Sequence, residues 1–298
     1  KSEINQQLRD LTSLWQGGVD KRNAANTAGI FRWDDEAYSS VDVGVKGAKT
    51  GPTLQQIINV NRDESRPAIS PKVLKNSNQL WREECSVEFY VDFETVSDLD
   101  DDFSSIPLSG GHPLIFMIGC GHVVNGEWKW SCFTTDCLTE GSEADIIDQW
   151  LSHMQEIQSQ IGQSNKDPLV FHWSHAEQST FEDAFNSAKN RHPEKNWITP
   201  NWYDFLKNVI RAEPVIIRGA FGFGLKPIAS SMKKLGFIET EWDAGPTDGL
   251  GAMVGAWFGA KEASTVDISM KAVPIIQEIA KYNEVDCKVM FEIIDYLR

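Results

Sequence analysis

The sequence has no C-x-x-C pair, no internal repeat and no low-complexity tract. It also lacks any apolar run of the roughly 18 residues that a membrane span needs. Its five cysteines, Cys85, Cys120, Cys132, Cys137 and Cys287, are odd in number and scattered. Neither a disulfide framework nor a thiolate zinc site is indicated by that pattern, and buried or idle thiols are the better reading. No basic-then-apolar leader opens the chain, so we expect an intracellular, cytoplasmic protein with no membrane partner. The first residue is Lys1 rather than methionine, as in a domain excised from a longer protein or left by tag removal. Positive charge is scarce: 28 Lys and Arg stand against 43 Asp and Glu, a formal charge of -15. A surface that attracts nucleic acid everywhere is thereby excluded, although a local groove is not.

What is present is a globular composition, with 41% hydrophobic residues and eleven tryptophans in 298 positions. The first eighty or so residues read as helices and loops. INQQLRDLTSLWQGG sets Leu8, Leu11, Leu14 and Trp15 at helical spacing; DKRNAANTAGIF and TLQQIINVNR follow as further helices. The linker-like run RDESRPAISPKVLKNSNQ then leads to a boundary near residue 82, so the expected organisation is a helical region over 1–82 and a main domain over 83–298.

Beyond residue 82 the pattern becomes that of strands. SVEFYVDFET alternates Val87, Phe89, Val91 and Phe93 with Glu88, Tyr90, Asp92 and Glu94, a period of two. PLIFMIGCGHVV and EWKWSCFTT are joined through Asn125-Gly126, a dipeptide suited to a tight hairpin. A long amphipathic helix over EADIIDQWLSHMQEIQSQIG comes next, followed by the strand DPLVFHW, the helix HAEQSTFEDAFNSAKN, and NWYDFLKNVI, a strand running on into helix. LKPIASSMKKLG is a short helix, and a long helix closes the chain over about 273–297. Three antiparallel strands followed by parallel crossovers predict an α/β fold with a mixed sheet flanked by helices, an order that suits the RNase H-like fold.

The stretch FYVDFETVSDLDDDF holds six acids in fifteen residues. Asp92 and Glu94, two apart on a strand, leave the same face; Asp98, Asp100, Asp101 and Asp102 fall after the strand and read as a solvated loop. Two carboxylates held close repel unless a cation lies between them, and hard divalent cations take oxygen ligands. By itself, D-x-E is usually just the polar side of a half-buried strand. On the last helix, YNEVDCK puts Tyr282 and Asp286 four apart on one face, read here as distinct from the stripe holding Val289 and Ile293. Glu177 in WSHAEQSTF stands at the end of a parallel strand, where open sheets place ligands; it also fits a capping box with Ser174. Asp183 and Asp204 compete with it. Phe93, His172, Trp173, His175 and Phe221 are candidates for stacking on bases, with Phe93 better read as core. His172 and His175 lack a third ligand for zinc, GAFGFGLK lacks a phosphate-binding pattern, and DAGPTDGLGAMVGAWFGA reads as a loop or lid.

D-x-E on the first strand, an acid before a middle helix and Y-x-x-x-D on the last helix together resemble the tyrosine-bearing subgroup of the DEDD exonucleases. The more specific resemblance, over about residues 85 to 298, is to the RNase H-like domain of predicted RecB-like nucleases, carried by FHWSHAEQS and YNEVDCK. This resemblance implies a 3′–5′ exonuclease that hydrolyses phosphodiester bonds of DNA or RNA at a single-stranded 3′ end, using two Mg²⁺ or Mn²⁺ ions. Asp92, Glu94 and Asp286 would hold the first ion, Asp92 would bridge to the second, and Glu177, an aspartate in most of the wider family, would hold that one. Tyr282 would orient or help deprotonate the attacking water. A longer parent would carry RecB-like nuclease or helicase domains. The rival expectation is an RNase H-like module that binds nucleic acid or protein with little catalysis of its own, and a glycosidase does not account for Y-x-x-x-D. Residues 1–82 are expected to pack on the main domain or to form a duplex-binding helical hairpin.

Overall fold

The computed structural model describes residues 2–35, 38–75, 79–83, 85–96, 113–161, 167–174, 180–243 and 249–298. The chain forms two compact units, 1–78 with 206–239, and 79–205 with 240–298. A single break near residue 82 therefore misses the return of 206–239 to the N-terminal unit. That return is held by a two-residue antiparallel ladder, Ile69–Ser70 on Ile216–Ile217, inside the stretch expected to be a linker. The Arg218 side chain adds hydrogen bonds to the carbonyls of Val60, Glu64 and Arg66.

The N-terminal unit has helices over Val19–Thr27, Thr50–Arg62 and Leu225–Lys234, as the apolar spacing predicts. The first expected helix is a correction. It stops at Gln7, Arg9 takes a positive φ of 55°, and Asp10 caps a short 3₁₀ turn over Leu11–Ser13 by accepting from Thr12 N. Leu11 and Leu14 are buried while Leu8 is exposed, because the break turns it away from them.

The C-terminal unit is built on a five-stranded mixed sheet: β1 Phe89–Val96, β2 Leu114–Val124, β3 Glu127–Thr134, β4 Val170–His172 and β5 Trp202–Asp204. Its order is β3-β2-β1-β4-β5. β1, β2 and β3 pair antiparallel; β4 joins β1, and β5 joins β4, in parallel. The hairpin between β2 and β3 turns on Asn125 and Gly126, both at positive φ, as their side chains permit. After Trp202–Asp204 the chain closes into a π-helical turn, Leu206–Ile210.

Helices cover both faces of the sheet: α1 Glu140–Ile161 and α2 Thr180–Arg191 on one, α3 Gly249–Val266 and α4 Pro274–Leu297 on the other. The alternation in β1 sorts its residues between them. Val87, Phe89, Val91 and Phe93 pack with Ile146, Ile147 and Trp150 of α1 and Phe185 of α2. Burying each of these large side chains contributes about 1.5–3 kcal/mol. The pair formed by Glu143 and Arg191 fastens the rim of this layer: Glu143, fully buried, takes both Arg191 Nε at 3.0 Å and a terminal nitrogen at 2.7 Å, and also accepts from Ile115 N at 2.8 Å.

α3 is a second correction, since most of the glycine-rich stretch read as a loop is helical. Small residues make this helix rather than break it. A Cβ on Gly255 or Gly259 would come within 3.0 Å of Ile279 or 2.7 Å of Ile276, so the two glycines let α3 lie close against α4. Among the described residues, no helix is long and apolar enough to cross a membrane.

Candidate metal centre

β1 is the central strand, and its other face carries Tyr90, Asp92 and Glu94 toward α4. The partners across the ladder are Gly121, Gly119 and Met117 on β2. A β-bulge follows Glu94, where the register with β2 shifts before Thr95. Bulges bend a strand and re-aim the side chains beside them.

Tyr90 is core, stacked on Phe171 at 5.5 Å and edge-on to Phe291 at 5.3 Å. Asp92 and Glu94 meet Asp286 instead. The three carboxylates each place an oxygen within 4.8 Å of the others. Glu94 and Asp286 are only 6% and 7% exposed, so these charges sit largely out of water. The expected separation of Asp286 from the apolar stripe of α4 is a third correction: Asp286 lies in the buried stripe with Ile279, Asn283, Val289, Met290 and Ile293. Positions 286, 289, 290 and 293 recur every three to four residues, so one polar residue replaces an apolar one in a continuous buried face.

Tyr282 is one helical turn before Asp286 and is half-buried. Burial first, then the charges of Asp286, Asp92 and Glu94, hold its phenol protonated far above the ordinary tyrosine range. Burial is the larger part of this shift, and the three negative groups converging beside the hydroxyl add to it.

Two residues that the motif pattern did not single out touch the carboxylates. Asn283, fully buried, donates through Nδ2 to the Asp92 side-chain Oδ2 at 3.0 Å and to the Asp92 carbonyl at 3.2 Å. Trp242 donates its indole N–H to Asp286 Oδ1 at 3.0 Å. Asn283 had a signal in sequence, being a polar residue at the core period of α4. Trp242 had none.

Glu177 and His175 lie outside the described residues, as do Asp98 and Asp100 to Asp102. Among the described residues, the three-acid grouping contains neither competitor of Glu177. Asp183 is exposed, and Asp204 is buried and takes the Ser174 hydroxyl at 2.5 Å. The proposed base-stacking residues divide as well: Phe93 is core against Trp150, His172 is buried against Trp202, and Phe221 packs on Trp33 in the N-terminal unit. Trp173 is half-buried beside Phe205. A cleft of about 740 Å³ opens at the starts of β1 and β4, lined by Phe89, Met154, Val170 and Pro200, and Asp92, Glu94 and Asp286 are not among its lining residues. Geometry and donor chemistry, rather than cavity size, mark the acidic cluster. Comparison with family models, with curated proteins and with solved structures gave no match.

Proposed function

We propose that the C-terminal unit is a metal-dependent nuclease of the DEDD type on an RNase H-like sheet, hydrolysing phosphodiester bonds of DNA or RNA from a 3′ end. The observation that carries this reading is the convergence of Asp92 and Glu94 from the central strand with Asp286 from the last helix, 192 residues after Glu94. Tyr282 stands one turn away on the same helix. The sheet order β3-β2-β1-β4-β5, with its antiparallel half and its parallel half, supports the same reading.

The donor set fits Mg²⁺ or Mn²⁺. All three groups are carboxylates, the hard oxygen ligands that these ions prefer over imidazole or thiolate. Asp92, Glu94 and Asp286 would hold the first ion, and the reading gives Glu177 to a second. Ions bound there supply a hydroxide-like nucleophile at neutral pH and charge neutralisation at the leaving oxygen. The chain itself supplies position. Tyr282, one helical turn from Asp286, would orient or help deprotonate the water that attacks the scissile phosphate. Three converging carboxylates would repel a nucleic acid on their own, and bound cations would reverse the sign of that field.

The test is direct. End-labelled single-stranded and duplex DNA and RNA are incubated with the protein and Mg²⁺ or Mn²⁺, beside Asp92→Asn. We expect metal-dependent shortening from the 3′ end by the wild type and at least about a hundredfold less by the variant, since it removes one ligand charge. Absence of cleavage on every substrate, or equal cleavage by the variant, ends the enzymatic reading.

A further inference from the structure

We infer that Asn283 and Trp242 are the positioning residues of this centre, each holding one metal-ligating carboxylate in its ligating orientation through an uncharged N–H. The inference rests on the reading of Asp92, Glu94 and Asp286 as a cation site.

Asn283 occupies a place that the fold would ordinarily give to an apolar side chain, on the sheet-facing stripe of α4 with no exposure to solvent. A buried amide is costly unless its hydrogen bonds are made, and here both Nδ2 bonds go to Asp92, one to its carboxylate and one to its carbonyl. The opposite strand is shaped to admit it. Gly119 is the cross-strand partner of Asp92, and a Cβ there would lie 1.7 Å from Asn283 Oδ1. A glycine inside a strand gives up side-chain packing and conformational restriction, and marks a place where something approaches the backbone closely. What approaches here is the amide that fixes Asp92.

Trp242 is brought to Asp286 by a strap. Thr240 donates its backbone N–H to Glu292 at 2.9 Å and its hydroxyl to the same carboxylate at 2.5 Å, which anchors the segment to α4. Two residues on, the indole reaches Asp286 at 3.0 Å. Both donors are neutral. A lysine or arginine in either place would orient the carboxylate equally well but would cancel the charge that a cation needs. Amide and indole donors fix the oxygen they touch and leave the negative charge in place.

The experiment uses the full chain and Mn²⁺ as the probe, titrated by calorimetry into wild type, Trp242→Phe, Asn283→Leu and Lys281→Ala. Trp242→Phe keeps an aromatic side chain at a part-exposed position and removes the indole N–H together with its five-membered ring. Urea unfolding of each variant separates loss of fold from loss of orientation. We expect Trp242→Phe and Asn283→Leu to bind Mn²⁺ about tenfold more weakly than wild type at an intact fold, as partners behind metal ligands typically do, with the exposed Lys281→Ala unchanged. Wild-type affinity in folded Trp242→Phe and Asn283→Leu overturns the inference while leaving the cation site standing. If Asn283→Leu does not fold, Trp242→Phe decides. Wild type that binds no Mn²⁺ overturns the cation reading itself, and this inference falls with it.

Discussion

Replacing Gly119 by alanine tests how the sheet, α4 and the acidic centre depend on one another. The added methyl would lie 1.7 Å from Asn283 Oδ1, 2.8 Å from its Cγ and 3.1 Å from Cys287 Sγ, so it cannot be housed by a small tilt of one side chain. Either the Asn283 amide swings away or α4 lifts from β2. Overpacking of this kind costs about 1–3 kcal/mol. Displacing the amide also abandons both hydrogen bonds to Asp92, and a buried polar group left unpaired costs about another 1–3 kcal/mol. Against this, alanine relieves the conformational freedom of glycine by about 0.5–1 kcal/mol. The net expectation is a loss of about 2–4 kcal/mol, or a fall in the urea midpoint of about 1 M or more at a slope of about 2–3 kcal/mol/M. Tryptophan fluorescence in urea measures the midpoint, and Mn²⁺ calorimetry on the folded variant measures the second consequence, a weaker site. Gly141→Ala, in the first turn of α1 with open space around its Cβ, is the control and is expected to be neutral or slightly stabilising. A Gly119→Ala protein with the wild-type midpoint and wild-type Mn²⁺ affinity would refute the reasoning.

Glu143→Ala should destabilise the protein by about 3–5 kcal/mol, seen as a lower urea midpoint, because it leaves the Arg191 guanidinium, mostly shielded from water, without its bidentate partner; a loss below about 1 kcal/mol would contradict that account. Stability should also fall with acidification from about pH 6.5. Burial holds His122 and His153, whose rings lie 5.9 Å apart, below the usual histidine value of 6.5. The unfolded chain therefore takes up protons in that window before the folded chain does, and ΔG of unfolding drops. A midpoint at pH 5.5 equal to that at pH 7.5 would show the contrary, and His153→Gln should weaken the dependence. Gly259→Val should cost about 1–3 kcal/mol by thermal melting, since even a Cβ would lie 2.7 Å from Ile276 across the α3–α4 contact. An unchanged melting temperature would mean that the helices are not closely packed there.

Much of this protein is decided by local pattern. The period of two from Val87 to Glu94 is enough to place Asp92 and Glu94 on one face, because successive side chains of a strand must point to opposite sides. The strand-helix-strand crossovers and the Asn125-Gly126 turn are enough to give an antiparallel half and a parallel half to one mixed sheet, whereas the order of its strands is read from the fold. Other features depend on what each residue meets in space. Arg9 and Asp10 interrupt a helix whose apolar spacing was sound, since a capping carboxylate and a positive φ outcompete periodicity over one turn. The glycines of 249–266 read as flexible until α4 lies against them, and then they are what lets α3 pack as a helix. Segment 206–239 joins the N-terminal unit through a two-residue ladder too short to leave a pattern. The acids themselves show the same division: spacing alone pairs Asp92 with Glu94 and Tyr282 with Asp286. Bringing Asp286 within 4.8 Å of Asp92 and Glu94, and setting Asn283 and Trp242 against these acids, required a helix and a strap distant in sequence to pack on the central strand, because side-chain contact across such separations is a property of the fold and not of local spacing.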